Sequence, residues 1–326
     1  MVQGSSKAAL DMSPIPAKQQ EKRRGTGRTL KKIVRSWRLY VFMAPALLTV
    51  LIFNYLPMYG IQIAFKNYVP AFGMGGSKWV GFDHFSRFFN SYYFWDLLWN
   101  TLSISLYGLA IGFPLPILLA LAFNEVRNGA FKKTVQTVTY APHFISTVVM
   151  AGMIITFLTP SSGMIINLLE ALGITAPNFL TDPRWFKTMY VLSDVWQTTG
   201  WGTIIYLAAL SAVDPGLHEA AILDGASRVQ RIWNINIPVL VPTITILMIL
   251  NVGSLLSVGY EKILLLQNPL NMSSSDVIAT SVYRTGLLEA QYSYSTAVGL
   301  FNSVVNAVML IVVNQIVRRT SENSLW

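Results

Sequence analysis

The stretch from Asp214 to Ala226, DPGLHEAAILDGA, concentrates residue types whose spacing suits chemistry at a surface. Asp214 followed by Pro215 is a helix start: a side-chain acceptor for orphan amides, then a ring whose φ is already helical. Gly225 is a natural stop. Ala220, Ala221 and Ala226 keep the segment slim, so that another surface can approach closely. Ile222 and Leu223 give it an apolar side, and Glu219 and Asp224 supply charge. The chemistry is recognition, with a short helix that plugs into a groove of a partner protein. Glu219 suits a salt bridge to an arginine of that partner and equally a capping or solvated role, because an exposed pair contributes little.

Bond-breaking chemistry has no visible seat. There is no G-x-x-x-x-G-K-[ST] phosphate loop, so the chain is not expected to hydrolyse ATP, and there is no H-E-x-x-H motif. His84, His143 and His218 are far apart in the predicted topology and make no metal cluster. The absence of cysteine excludes disulfides and thiolate metal sites.

The elements that must position this segment lie in a bilayer. Of 326 residues 53% are hydrophobic and only 12% charged, about half the charge of a soluble domain. Six apolar stretches, near 39–58, 101–121, 137–158, 189–209, 239–260 and 297–317, each approach the roughly 20 residues a transmembrane helix needs. They predict an all-α membrane protein of six spans. Pro45, Pro114, Pro116 and Gly152 fall inside spans, where neighbouring helices satisfy freed backbone groups. Residues 1–38 hold 10 of the 24 Lys and Arg and read as a basic, largely disordered tail. With that tail inside, 17 Lys and Arg lie on the inner side and 7 on the outer. The positive-inside rule then puts both termini in the cytoplasm. Without the tail the two sides tie, so the charges beside the first helix decide. The chain divides into the tail 1–38, a six-helix domain 39–317 and a short C-terminus 318–326. Segment 210–238 is then an inner loop before the fifth span. The longer outer loops, 66–96, 160–188 and 261–293, suit either an external partner or simple shielding of helix ends. The second includes a short amphipathic helix, Met164 to Leu172, closed by Gly173.

At this inner loop the chain resembles a known family. Glu219-Ala220-Ala221, Asp224-Gly225-Ala226 and Ile237-Pro238, with Gly225 six residues after Glu219 and Pro238 thirteen further, are similar to the signature loop of binding-protein-dependent ABC importer permeases. Asn54-Tyr55-Leu56-Pro57, Gly81-Phe82, Asn124-Glu125-Val126 and Tyr140-Ala141-Pro142-His143-Phe144 resemble the branch that imports oligosaccharides and polysaccharide fragments, alginate-oligosaccharide permeases among them. The resemblance covers most of 39–317 and leaves out the tail. It implies a type I ABC importer permease fold in a bacterial plasma (inner) membrane. Glu219, Ala220, Ala221, Leu223, Asp224, Gly225 and Ala226 would form a coupling helix seated in an ATP-binding subunit. It further implies two such subunits carrying ATP and Mg, with no cofactor on this chain. A second permease, with a heterodimer favoured, and an extracytoplasmic solute-binding protein that delivers the sugar would complete the complex.

Polar residues inside spans are costly and often functional. Gln197, Trp201 and Ile204 share a helical face, as do Asn251, Ser254 and Val258. In the family the corresponding stretches line the translocation pathway, which makes Gln197, Trp201, Asn251 and Ser254 pathway candidates. Helix packing through polar and small side chains explains them nearly as well. Asp194, near the outer end of its span, reads as an interfacial, hydrated acid. Aromatics at span ends, such as Trp37, Tyr40, Trp99, Trp185 and Tyr260, fit interfacial belts. Two rivals stand beside the importer. An ion-driven secondary transporter predicts inverted repeats and midplane ionisable residues, neither of which the sequence shows. A non-transporting assembly subunit would not need the loop. A tail that binds nucleic acid would require salt-dependent DNA binding, and no nucleic-acid partner is expected.

Overall fold

The computed structural model describes residues 36–126, 129–320 and 324–325. Most of the basic tail and part of 318–326 therefore lie outside the described residues. The chain divides into two units, residues 1–60 and 61–326. In the first, helix α1 (Trp37–Val50) continues through a wide π-helical turn, Leu51–Tyr55. Thr49 Oγ1 donates to the Pro45 carbonyl at 2.8 Å. A 3-10 stretch, Leu56–Phe65, leads out of it.

Among its described residues the regular structure of the second unit is helical apart from one two-residue antiparallel ladder, β1 (Lys66–Asn67) with β2 (Lys78–Trp79). Helix α2 (Asp83–Phe89) follows, then α3 (Phe94–Gly112) and α4 (Pro114–Glu125), which run on as one apolar rod of 32 residues. Next come α5 (Ala130–Tyr140), α6 (Thr147–Leu158), α7 (Met164–Ala171), α8 (Pro183–Leu210) and α9 (Pro215–Leu223). They are followed by α10 (Ile237–Gly253), α11 (Tyr260–Leu266), α12 (Ile278–Tyr283) and α13 (Tyr292–Thr320).

Among the described residues, four stretches are single helices long and apolar enough to cross a membrane: Trp37–Phe65, Phe94–Glu125, Arg228–Gly253 and Tyr292–Arg319. The fourth predicted span is carried by α8, whose 28 residues reach about 42 Å at 1.5 Å per residue. Asp182 caps α8, accepting from Arg184 N at 3.0 Å. The Arg184 side chain, hydrogen-bonded to Asp182, holds its carboxyl below the ordinary carboxylate range.

The helices of the first, second and fourth spans run several residues beyond their expected bounds, and the third and fifth spans differ from the sequence expectation in kind. The third span, expected as one helix over 137–158, bends by 100° between α5 and α6. Pro142 sits in a 3-10 turn, Ala141–Phe144, and Ser146 then caps α6 by accepting from Val149 N. The fifth span, expected over 239–260, begins earlier and stops at Gly253. A β-carbon on Gly253 would lie 2.5 Å from Leu310 Cδ1, so the Leu310 side chain of α13 sits directly on the backbone of α10, the approach that small residues allow between membrane helices. Beyond Gly253 the chain leaves the helix for Ser254–Gly259. Asn306 of α13 ties this stretch down, accepting from Leu256 N at 3.0 Å and donating to Ser257 Oγ at 2.9 Å.

Three clusters hold the unit together. Ile104, Met150, Phe186, Val191, Ile263 and Val277 join α3, α6, α8 and α11. Phe88, Phe94, Leu97, Ile278 and Val298 form an aromatic-rich knot, in which Phe88 and Phe94 meet edge to face at 5.0 Å, a geometry that adds about 1 kcal/mol to simple burial. Ala120, Leu121, Tyr206, Leu210 and Leu240 lock α4, α8 and α10 together where the 210–238 loop begins and ends.

Candidate functional site

The segment from Asp214 to Ala226 folds as its sequence dictates. Asp214 Oδ1 accepts from Gly216 N at 2.9 Å, which starts α9; such a cap is worth about 1 kcal/mol. At the other end Gly225 adopts φ +78°, a region that costs an L-residue roughly 1–2 kcal/mol. Its amide donates to Ile222 O at 3.0 Å, and Ala226 N donates to Ala221 O at 2.9 Å. These are the paired bonds of a Schellman stop. Two residues on, Ser227 and Gln230 exchange a capping box: Ser227 N donates to Gln230 Oε1 at 2.7 Å, and Gln230 N to Ser227 Oγ at 3.3 Å. A new helical rod therefore begins at once, through Arg228–Arg231 and a π-helical turn, Ile232–Asn236, into α10. The wide turn relieves Pro238, which has no amide hydrogen to give and whose ring crowds the carbonyl four residues back.

No residue of α9 is buried. Leu223 is 88% exposed, and Leu217 and Ile222 are more than half exposed. Glu219, Ala220 and Asp224 are exposed too, while Ala221 and Ala226 are partly covered. The apolar side chains of this capped helix therefore form an exposed face instead of packing within the chain.

A cleft of about 550 Å³ opens between α3–α4, α8 and the α10–α11 junction. Asn251 and Ser254 line it, with Ser105, Thr198, Ser257 and Asp194. Asn251 Nδ2 donates to Leu247 O at 2.7 Å and Ser254 Oγ to Asn251 O at 3.1 Å. Ser254 spends its one hydroxyl hydrogen on the end of α10, while Asn251 keeps its amide oxygen and one of its two amide hydrogens for another partner.

Gln197 and Trp201 lie on a neighbouring face of α8, against the bend of the third span. Gln197 Nε2 donates to Ile145 O at 2.7 Å, supplying the partner that the broken helix lacks there. Trp201 stacks on His143 with ring centroids 4.5 Å apart and planes 4° apart, and Phe144 meets the indole edge-on. Between them Gly200 sits so close to the bend that a β-carbon would lie 2.0 Å from Thr139 O. The third histidine, His218, lies on α9; among the described residues no group of acids and histidines is arranged to hold a metal.

Sequence reasoning missed what stands beside Asp194. Lys262 of α11, 5% exposed, lies with its Nζ 3.4 Å from Asp194 Oδ1 and 3.3 Å from Tyr190 O, 4.8 Å over the Tyr190 ring. The two residues are 68 positions apart in sequence, and no local pattern joins them. A second, polar hollow of about 1010 Å³ is built from 87–100 and 272–294. In it Arg284 pairs with Asp276 at 2.6 Å, and the Arg87 guanidinium lies 4.5 Å over the Tyr294 ring.

Comparison with known proteins agrees with this arrangement. Residues 112–322 match the family model described as binding-protein-dependent transport system inner membrane component. The chain is 44% identical over 288 residues to Protein LplB of Bacillus subtilis (strain 168), covering 88% of this chain and 91% of that one. It is 43% identical over 307 residues to the polygalacturonan/rhamnogalacturonan transport system permease protein YteP of the same organism, covering 94% and 95%. Among solved structures, a bacterial ABC transporter involved in import of the acidic polysaccharide alginate contains a chain 44% identical, with TM-score 0.83 over 90% of this chain and 99% of that one. A bacterial alginate ABC transporter in complex with an alginate pentasaccharide-bound periplasmic protein contains one 43% identical, with TM-score 0.84 over 91% and 100%. The helical unit is thus that of a multi-pass permease, and the chain belongs to the family of binding-protein-dependent transport system inner membrane components.

Proposed function

We propose that this chain forms half of the translocation pathway of an ATP-driven importer of oligosaccharides, with uronic-acid fragments as the favoured class. The observation that carries the reading is α9: capped at both ends, outside the spans, and free of any buried residue. It is the docking plug for an ATP-binding subunit, on which ATP and Mg reside, with Leu217, Ile222 and Leu223 entering the groove and Glu219 and Asp224 at its rim. A second permease supplies the other half of the pathway, and both termini of this chain lie in the cytoplasm. An extracytoplasmic solute-binding protein delivers the sugar, and the polar hollow at Arg87, Asp276 and Arg284 suits its docking. The substrate class rests on the relatives that act on polygalacturonan, rhamnogalacturonan and alginate.

Closure of the ATP-binding pair carries α9 with it, and the motion passes through Gly225 into α10. Asn251 and Ser254 then meet the sugar in the cleft, while Gln197 and Trp201 hold the bend that walls it. Nucleotide drives this cycle only by binding one state more tightly than the other. The test is purification of the tagged chain in mild detergent, with and without Glu219→Lys plus Gly225→Pro. An ATP-binding subunit should accompany the wild type and be lost or uncoupled in the variant. A wild type that carries no such subunit, yet moves solute under an imposed ion gradient, overturns the proposal.

A further inference from the structure

Among the described residues, Asp194 is the one charged side chain that lines the cleft. Its side chain is about half exposed, at 51%, whereas that of Lys262 behind it is 6% exposed. Lys262 is held from three sides, by the Asp194 carboxylate, the Tyr190 carbonyl and the face of the Tyr190 ring. A cation so enclosed cannot reach a solute in the cleft. It can set the potential that the solute meets there, because it sits beside the only lining charge. A lone carboxylate facing a narrow cleft repels anions and attracts cations, and the low-dielectric walls strengthen both effects. With the ammonium 3.4 Å away, the field of the carboxylate is largely that of a dipole and dies away within a few ångströms.

We infer that Lys262 is a positioning and specificity-determining residue: by cancelling Asp194 it leaves the cleft without net charge, so that carboxylated sugars enter as readily as neutral ones. Asp194 keeps its second oxygen for sugar hydroxyls, an acceptor-only group well matched to them. The inference rests on the cleft being part of the translocation pathway.

The chain has no cysteine, so Ser254→Cys places a single thiol on the cleft wall. The intact complex carrying it is treated with an anionic and with a cationic methanethiosulfonate reagent, and labelling of this chain is followed on a gel. The readout is the ratio of the two rates, in which any change in thiol reactivity itself cancels. Lys262→Met exposes the Asp194 charge and should slow the anionic reagent and speed the cationic one by about threefold each, lowering the ratio about tenfold. Lys262→Met with Asp194→Asn should restore it to within about twofold. Uptake should follow, with oligogalacturonate falling about tenfold relative to its methyl ester in the single variant and recovering in the double. If Lys262→Met does not assemble, Lys262→Gln serves in its place.

A thiol that reacts in every variant with an unchanged ratio overturns the inference alone. A ratio that falls and stays low in the double variant also overturns it, since Lys262 would then act through packing. A thiol that neither reagent reaches in any nucleotide state overturns the inference together with the pathway reading beneath it.

Discussion

Replacing Gly225 isolates the backbone demand of the segment that closes α9, proposed above as the docking plug. The residue stands at φ +78°, and a β-carbon there meets nothing within 4 Å. Packing within the chain therefore contributes nothing to a substitution, and the change in the chain's own free energy is that of the dihedral and its hydrogen bonds. Alanine at this φ costs about 1 kcal/mol, a factor of about five in the population of the capped form. Asparagine tolerates the left-handed region better and should cost less. Valine, branched at Cβ, is worse than alanine. Proline cannot adopt the angle, and it deletes the 3.0 Å bond from the Gly225 amide to Ile222 O, at a cost of about 3 kcal/mol or more. The predicted order of coupled uptake is Gly, Asn, Ala, Val, Pro. Alanine should fall about fivefold and proline more than a hundredfold. The assay is solute moved per ATP hydrolysed by the intact complex in proteoliposomes, with thermal unfolding of the chain as control. Unfolding should change little along the series, because α9 buries no residue within the chain. An asparagine variant worse than valine, or a proline variant as active as wild type, would refute the reasoning.

Two further substitutions test the bend. Gly200→Ala puts a methyl 2.0 Å from Thr139 O, so α8 and the bend must part; overpacking of this kind costs about 1–3 kcal/mol and should lower the melting temperature of the extracted complex. Gly108→Ala, with open space at its β-carbon, should not. Gln197→Leu removes the 2.7 Å donor to Ile145 O and leaves a carbonyl unpaired at membrane depth, a loss of about 1–3 kcal/mol read as a lower melting temperature and faster proteolysis between α5 and α6.

What could be read from the sequence was local. Asp214, Pro215 and Gly225 announce both ends of α9 within a dozen residues, because capping is decided by side chains next to the amides they satisfy. Gly173 likewise closes α7, its amide donating to Glu170 O at 2.9 Å. The bend in the third span was not legible. Pro142 was visible, but a proline in a span signals a kink only once its freed carbonyls have a partner, and Gln197 lies 52 residues from Ile145. Helical spacing also could not say which flank of α8 meets the cleft. Residues 197 and 198 are about 100° apart on the helix, and it is Thr198, with Asp194 and Gly202, that lines it. Asp194 read as a hydrated interfacial acid for the same reason: its partner comes from another helix. The early end of the fifth span depends on contact with α13 at Leu310 and Asn306, again beyond the reach of local pattern.

The unwound stretch Ser254–Gly259 carries a consequence for how this transporter can change over evolutionary time. Ser254, Leu255, Ser257, Val258 and Gly259 all border the cleft; the amides of Ser254, Leu255 and Ser257 close turns on the Asn251, Val252 and Ser254 carbonyls and that of Leu256 donates to Asn306, so the Val258–Gly259 end is the part of the main chain not tied into these bonds. Irregular backbone at such a depth persists only inside protein or beside a hydrated cavity. The main-chain groups at that end can therefore meet a ligand directly, and they are the same whatever side chains drift onto them. Recognition vested in main-chain atoms is buffered against point substitution. New specificities are then expected to arise by altering Asn306, which holds the stretch in register, or the Asp194–Lys262 pair opposite, more readily than by exchanging the residues of the stretch itself.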